Sequence, residues 1–548
     1  MRGKKWFILL ASLALVLLSS GIGVTRSSFV DLESSTGNTF QAWASNLWLQ
    51  TTQADFNAGL LQNVQVVSPG DVKLAVKSGW YNTNWQYRRA ITIDHTKVQD
   101  VANPSTTYAN FPVLVYATGL SNIKADGADI RFTSSDGVTE LPREIESYSG
   151  GTLYAWVKVT LTKDAGDSSN DIIYMYYGNS AATEPAPGST YGSQNVWDSN
   201  YKGVWHLKEN PTGTAPQMKD STSNAHDGTT TGMVSGDQIA AGKIDGSLNF
   251  DGLDAYVQTT SGESKTASSI TWSVWFKADS TTGSHHILWE GPSTQNGWGE
   301  PGQAATHEMH LTIGRMSTAN LLDFFYGYEY TSGNFIPAVE IQTAFSDTVN
   351  WHYAVVVLTG ADSSPSGTLY LDGNLIGTDT GTETGRSAWD TNLRIGRCGA
   401  NQRYLDGIAD EVRVSNIARS AEWITTEYNN QNSPSTFCSV GGEEGMYVSS
   451  GTIASQVLNT GVSGARWDAL FWDEILESGT DITFAVRASD SPFAKDTPDA
   501  TLPWISVGGT SPVTSGLPSG QYMQWQAILT TSDTSKTPTL QEVRVYYY

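Results

Sequence analysis

From Trp85 onward one pattern recurs along the chain: short runs that alternate apolar and polar residues, set apart by clusters of Gly, Asn, Asp, Ser and Pro. Successive strand residues point to opposite faces, so a period of two specifies strands with one face in a core. In SITWSVWFKA (269–278), Ile270, Trp272, Val274 and Phe276 share one face, and Asp372-Gly373 between apolar runs is a hairpin signal. The runs WQYRRAITID (85–94), TLYAWVKVTL (152–161), DITFAVRASD (481–490) and LQEVRVYYY (540–548) also read as strands. Charged residues make up only 16%, while Gly numbers 53, Trp 19 and Tyr 24, a mixture that suits strands joined by tight turns. The fold class is therefore all-β. At 548 residues the chain is too long for one core, so tandem β-sandwich or jelly-roll domains are expected behind a hydrophobic N-terminal export segment.

Arg2, Lys4 and Lys5 precede an apolar run from Trp6 to Leu18, and Ser19-Ser20-Gly21 offers a small-residue cleavage pattern. Residues 1–26 thus read as a signal peptide or, if uncleaved, an N-terminal anchor, which is the one route to a membrane. The expected location is secreted or cell surface. A net charge of −23, with no basic run, argues against nucleic acid as a partner. Cys398 and Cys438 are expected to close one loop as a disulfide in an oxidising compartment, with two separate thiols as the alternative.

Several stretches carry resemblances. FVDLESSTGNTF (Phe29 to Phe40) resembles the start of the TasA and camelysin group of exported fibre proteins, which marks 27–78 as an N-terminal segment. In physical terms such a segment is either a linker or an extended strand that pairs with a sheet edge of its own chain or of a neighbour. Over 79–182, the Trp85-Gln86-Tyr87-Arg88-Arg89 run, ADGADIRF (125–132), ELPREIE (140–146), AWVKV (155–159) and YYGN (176–179) resemble a bacterial and archaeal domain of unknown function. Glu144 and Glu146, beside Arg143, read as a solvated or Arg-paired strand edge. Over 196–430, GVWHLKEN (203–210), DSTSNAHDGT (220–229), SLNFDGLDAYV (247–257), WHYAVVVL (351–358), TLYLDGNLIG (368–377), LRIG (393–396) and YLDGIADEVRVSNIARSAEWI (404–424) resemble a laminin-G-like, concanavalin A-like jelly roll. Ser420 to Tyr428 reads as a short helical appendage anchored by Trp423 and Tyr428. Beyond a Ser/Pro/Gly-rich breaker, 433–442, residues 446–548 read as a C-terminal β-sandwich similar to carbohydrate-binding-like modules.

Strict alternation along the closing stretch 404–424 puts Asp410 on the same face as Ile408, Val412 and Val414. An acid turned toward a core needs a cation or hydrogen-bond donors. The jelly-roll resemblance implies a calcium site, built from Asp220, Asn224 and Asp227 where their loop meets Asp410. The alternative is that Asp220 and Asn224 cap turns, and that backbone amides, Arg394 or Arg413 bond Asp410.

No Glu-x-Asp-x-Glu strand and no G-x-S-x-G elbow occurs, so no catalytic residues are assigned and the chain is expected not to be an enzyme. The enzyme alternative is a divergent glycan-active protein using Glu290, Glu300 and Glu308. His307 and His310, three apart on a strand, face opposite sides and do not share a zinc ion. Trp289, Trp298, Tyr326 and Tyr328 are the candidate ligand-binding aromatics, with burial in the core as the competing role for each. The expected function is non-catalytic binding or adhesion to polysaccharide or a cell-surface protein. A self-associating subunit of a fibre or surface layer is the second reading.

Overall fold

A computed structural model describes residues 45–99, 107–162, 170–260, 267–291, 306–315, 318–329, 335–382, 392–399 and 403–548. The chain divides into two compact units, one of residues 78–446 and one that joins residues up to 77 with 447–548. Nearly all of the regular structure is β, as the alternation requires.

Within 78–446 two sandwiches share a helix. The first packs a three-stranded sheet (Thr107–Ala117, Thr152–Thr162, Arg143–Ser149) on a five-stranded one, ordered Cys438–Gly445, Tyr87–Ile93, Asp171–Tyr177, Arg131–Thr133, Glu140–Leu141. Ile91, Phe111, Val113, Phe132, Val157 and Met175 fill its core. The jelly roll follows with an eight-stranded and a seven-stranded sheet. Ile270, Trp272, Val274 and Phe276 enter its core together, opposite Leu288, Leu311 and Phe324 of the other sheet.

The helix Ala421–Asn432 begins at an N-cap Ser420 whose hydroxyl accepts the Trp423 amide. Its sides serve different sandwiches. Ile424 and Tyr428 lie on the outer face of the eight-stranded sheet with Trp275, Tyr353 and Val355. Trp423 enters the core of the first sandwich, 4.7 Å from the Phe111 ring. Asn430 bonds the backbone N–H and C=O of Leu114 at 2.7 and 3.0 Å, closing that strand's edge. The chain then returns to the first sandwich, where Cys438–Gly445 pairs with Tyr87–Ile93. The breaker-rich 433–442 is therefore a short helix and a strand, and the sandwich expected at 79–182 is completed from the far side of the jelly roll.

The expected N-terminal segment 27–78 is likewise not self-standing where it is described. Asn46–Gln50 pairs with the last strand, Thr539–Tyr547, Leu60–Gln62 pairs with Ser450–Ala454, and Phe56 lies in the core of the C-terminal sandwich beside Trp525. Gln50 accepts the indole N–H of Trp525 at 2.7 Å. Edge pairing in the same chain thus replaces the linker. The stretch 29–40 lies outside the described residues.

The two cysteines are in different sandwiches and no bond joins them. Cys438 sits in the first core, where burial raises its thiol pKa far above the ordinary value, whereas Cys398 follows the jelly-roll strand Arg394–Ile395. The expected disulfide is absent because a sheet return, rather than a loop, brings Cys438 to its place. Phe56 is 1% exposed, so Phe56→Ala is expected to destabilise the C-terminal sandwich by about 3–5 kcal/mol. Urea unfolding followed by Trp fluorescence checks this, and an unchanged midpoint would show that 45–77 is an accessory to that core.

Candidate functional site

The seven-stranded sheet of the jelly roll has an apolar inner face and a polar, aromatic outer one. Leu311 and Ile313 of the strand Thr306–Arg315 point inward with Leu322, Phe324 and Tyr326 of Thr318–Glu329. Glu308 and His310 alternate with them on the outer side, His310 opposite Phe325 and one pair away from Asp323, which opposes Thr312. His310 is bracketed by carboxylates, its Nδ1 lying 3.2 Å from Glu308 and its Nε2 3.6 Å from Asp323. Burial alone would discharge His310, but hydrogen bonds to Asp323 and Glu308 outweigh it and raise the pKa. The ring stacks on Phe325 at 4.8 Å and meets His286 at 4.9 Å. Burial and the neighbouring His310 keep His286 neutral, well below its ordinary pKa.

Trp289 joins this face because a bulge between His286 and Leu288 resets the alternation of its strand. Its indole N–H donates to Glu308 at 3.3 Å, and the Arg394 guanidinium lies over its ring at 5.0 Å.

Of the four aromatics expected to bind ligand, only Trp289 is placed on this outer face. Tyr326 belongs to the core, its hydroxyl donating to the Ala361 carbonyl at 2.7 Å, because it is in register with Leu322 and Phe324. Trp298 and the side chain of Tyr328 lie outside the described residues. Glu300 does too, and Glu290 is buried on the strand His285–Glu290.

A second cluster lies where the two sandwiches of the 78–446 unit meet. It is built by a bulge in the closing strand, Asp406–Ser415. Trp275 pairs with Asp410 but Ser273 pairs with Arg413, so Val274 opposes two residues. Glu411 takes a left-handed φ of 53° to accommodate this. Ala409, Val412 and Val414 consequently face the jelly-roll core, while Asp410 shares the outer side with its partner Trp275. The expectation that Asp410 faces with Val412 fails by that one extra residue.

Around the bulge, His206 Nδ1 lies 2.6 Å from Glu411 and 3.0 Å from Glu146 of the first sandwich, and its Nε2 is 3.5 Å from Glu144. Lys208 binds the other oxygen of Glu146 at 2.9 Å. Arg413 binds Glu411 at 2.8 Å and Glu427 of the helix at 2.5 Å, with Trp156 against its guanidinium. Burial would keep His206 neutral, yet the charges of Glu146, Glu411 and Glu144 hold its pKa well above the ordinary value. Burial likewise opposes ionisation of Glu411, and His206 and Arg413 overcome it, bringing the carboxyl down to about 2. Glu144 and Glu146 are thus not a solvated edge, and Arg143 turns instead to Glu184 at 2.5 and 2.8 Å.

The residues expected to share calcium do not converge. Asp410 accepts the backbone amides of Lys243 and Ile244, each at 2.9 Å. Asp220 accepts the amides of Val204, Thr222 and His226, Asn224 donates to the Tyr201 carbonyl, and Asp227 pairs with Lys219. These contacts are those of the turn-capping alternative for the 220–227 loop. Among the described residues, the ligand atoms of Glu146, His206 and Glu411 do lie within 4.8 Å of one another.

Comparison with known families places a concanavalin A-like lectin/glucanases superfamily domain at 250–425 and a domain of unknown function, DUF2341, at 126–194. No curated protein matches the chain. Among solved structures, domain 4 of an extracellular arabinanase from Geobacillus stearothermophilus, in complex with arabinotriose, is similar at 14% identity and a TM-score of 0.30, over 41% of this chain and 97% of that one. The binding domain of botulinum neurotoxin serotype C1 is similar at 14% and 0.31, over 50% and 57%. A carbohydrate-binding module of a Ruminococcus gnavus sialidase, bound to sialyllactose, is similar at 14% and 0.24, over 30% and 84%.

Arg413 is 2% exposed and answers two buried carboxylates. Arg413→Met should therefore destabilise the 78–446 unit by about 3–5 kcal/mol, since the acids remain without their cation. Denaturant unfolding of the full chain checks the value. A loss below about 1 kcal/mol would place the pair with weakly contributing surface bridges.

Proposed function

We propose that this chain is a non-catalytic binding protein, working as a secreted or surface-held module whose jelly roll recognises polysaccharide. The observation that carries the reading is the difference between the two outer faces of the jelly roll. Trp275, Tyr353 and the helix residues Ile424 and Tyr428 make the eight-stranded face an apolar contact. The seven-stranded face instead carries a polar and aromatic layer of Trp289, Glu308, His310 and Asp323, each 4% exposed or less, which a sugar would reach only as that face opens. Carboxylates accept from sugar hydroxyls, and here Glu308 and Asp323 are held in place by the His310 ring between them. The superfamily match at 250–425 supports the same reading. Export would follow from the hydrophobic N-terminus, which lies outside the described residues.

The test is a glycan array with the purified full chain, followed by calorimetry on any hit. Trp289→Phe and Asp323→Asn are expected to weaken binding about tenfold or more, the loss of one to two good contacts, with the unfolding midpoint of each variant measured alongside because both side chains are buried. An array without signal would sink the polysaccharide reading. Turnover of a bound glycan that disappears in Glu308→Gln would replace it with the enzyme reading.

A further inference from the structure

The cluster at the junction of the two sandwiches carries more negative charge than its fixed cations answer. Glu144, Glu146, Glu411 and Glu427 meet there with Lys208 and Arg413, which leaves two charges over. Asp410, next to Glu411 and 0% exposed, does not add to the excess, because burial and the neighbouring Glu411 push its pKa well above the ordinary value. A proton on His206 supplies one positive charge. A divalent ion on a neutral imidazole supplies two, which the tally calls for.

The ligand atoms of Glu146, His206 and Glu411 also converge, all within 4.8 Å of one another. One Nδ1–H is shared between two carboxylate oxygens, at 2.6 and 3.0 Å, although a single hydrogen can be directed well at only one of them. A tetrahedral ion with bonds of about 2.0–2.2 Å sets its ligand atoms about 3.3–3.6 Å apart, so these oxygens would move outward by under about 1 Å to take one. Each ligand is also steadied from behind. Lys208 holds the distal oxygen of Glu146 at 2.9 Å and Arg413 that of Glu411 at 2.8 Å. The far nitrogen of His206 faces Glu144, which is itself fixed by the Trp197 indole at 2.8 Å and the Ser221 hydroxyl at 2.6 Å. A carboxylate behind a ligating imidazole is the arrangement that orients metal-bound histidine.

We infer that Glu146, His206 and Glu411 form a binding site for one divalent first-row transition ion, zinc-like in its preference for nitrogen and carboxylate ligands. Calcium does not suit the site, because it takes six to eight oxygen ligands and no imidazole. Glu146 comes from the first sandwich, and His206 and Glu411 from the jelly roll. The ion would be a structural staple between them, and its binding would add directly to folding stability.

The experiment uses the full chain, purified without chelator or added metal, and measures bound metal by mass spectrometry. Zinc is then titrated into chelator-stripped protein by calorimetry and melting temperature. About one ion per chain is expected, with a melting temperature that rises with zinc. Glu144→Gln keeps the ligands and should weaken zinc by roughly 10–100-fold, while His206→Ala and Glu146→Gln should abolish stoichiometric binding. Should His206→Ala fail to fold, the Glu144→Gln and Glu146→Gln titrations decide. Wild-type protein that neither carries nor takes up zinc, or zinc binding that is the same in Glu146→Gln, would overturn the inference and leave a protonated His206 as the whole answer.

Discussion

A charge taken out of water has to be answered inside the fold, and the 78–446 unit is organised around that requirement. Arg413 is the centre of it: with its side chain 2% exposed it reaches Glu411 on its own strand and Glu427 on the helix. Glu411 in turn meets His206, and through His206 the first sandwich is drawn in by Glu144 and Glu146. Remove the guanidinium and two buried carboxylates lose their cation. The apolar contacts of Trp423, Ile424 and Tyr428 hold the same helix from its other sides.

The same strand has to serve two environments, and the bulge at Glu411 is how it does so. Without the extra residue Asp410 would enter the jelly-roll core with Val412 and Val414. With it, only Ala409, Val412 and Val414 do. A local backbone cost of the kind a non-glycine residue incurs at positive φ is thereby set against the far larger cost of an acid in an apolar core.

Much of the fold was legible from alternation alone, because period two is a direct record of burial. Ser269–Ala278 reads correctly residue by residue, and Trp423 and Tyr428 stand out as aromatics on a short helix. What was not legible shares one physical trait: it depends on residues distant in sequence or on a break in the period. Asp410 lies just before a bulge and Trp289 just after one, and each bulge shifts the side chains beyond it to the other face. Tyr326, two residues beyond Phe324 in an unbroken stretch, was open to the core reading and belongs there. Glu146 meets a histidine sixty positions onward, and nothing near it in sequence announces the partner. One signal was available and carries weight in retrospect: Asp410, Glu411 and Arg413 crowd three charges into a strand whose neighbours are valines.

The pairing of Asn46–Gln50 with Thr539–Tyr547 also has a meaning for the order in which the chain assembles. The 78–446 unit is inserted between two halves of one sandwich. That sandwich cannot close until its last strands have been synthesised, so its first strands must wait through the whole of the insert. A disordered insert would make the closing loop long and entropically costly. An insert already folded, its ends brought together where Val76 bridges Tyr447, turns that loop into a short one. The outer sandwich then works as a late lock: its cooperative formation reports that everything between its halves has already found its place.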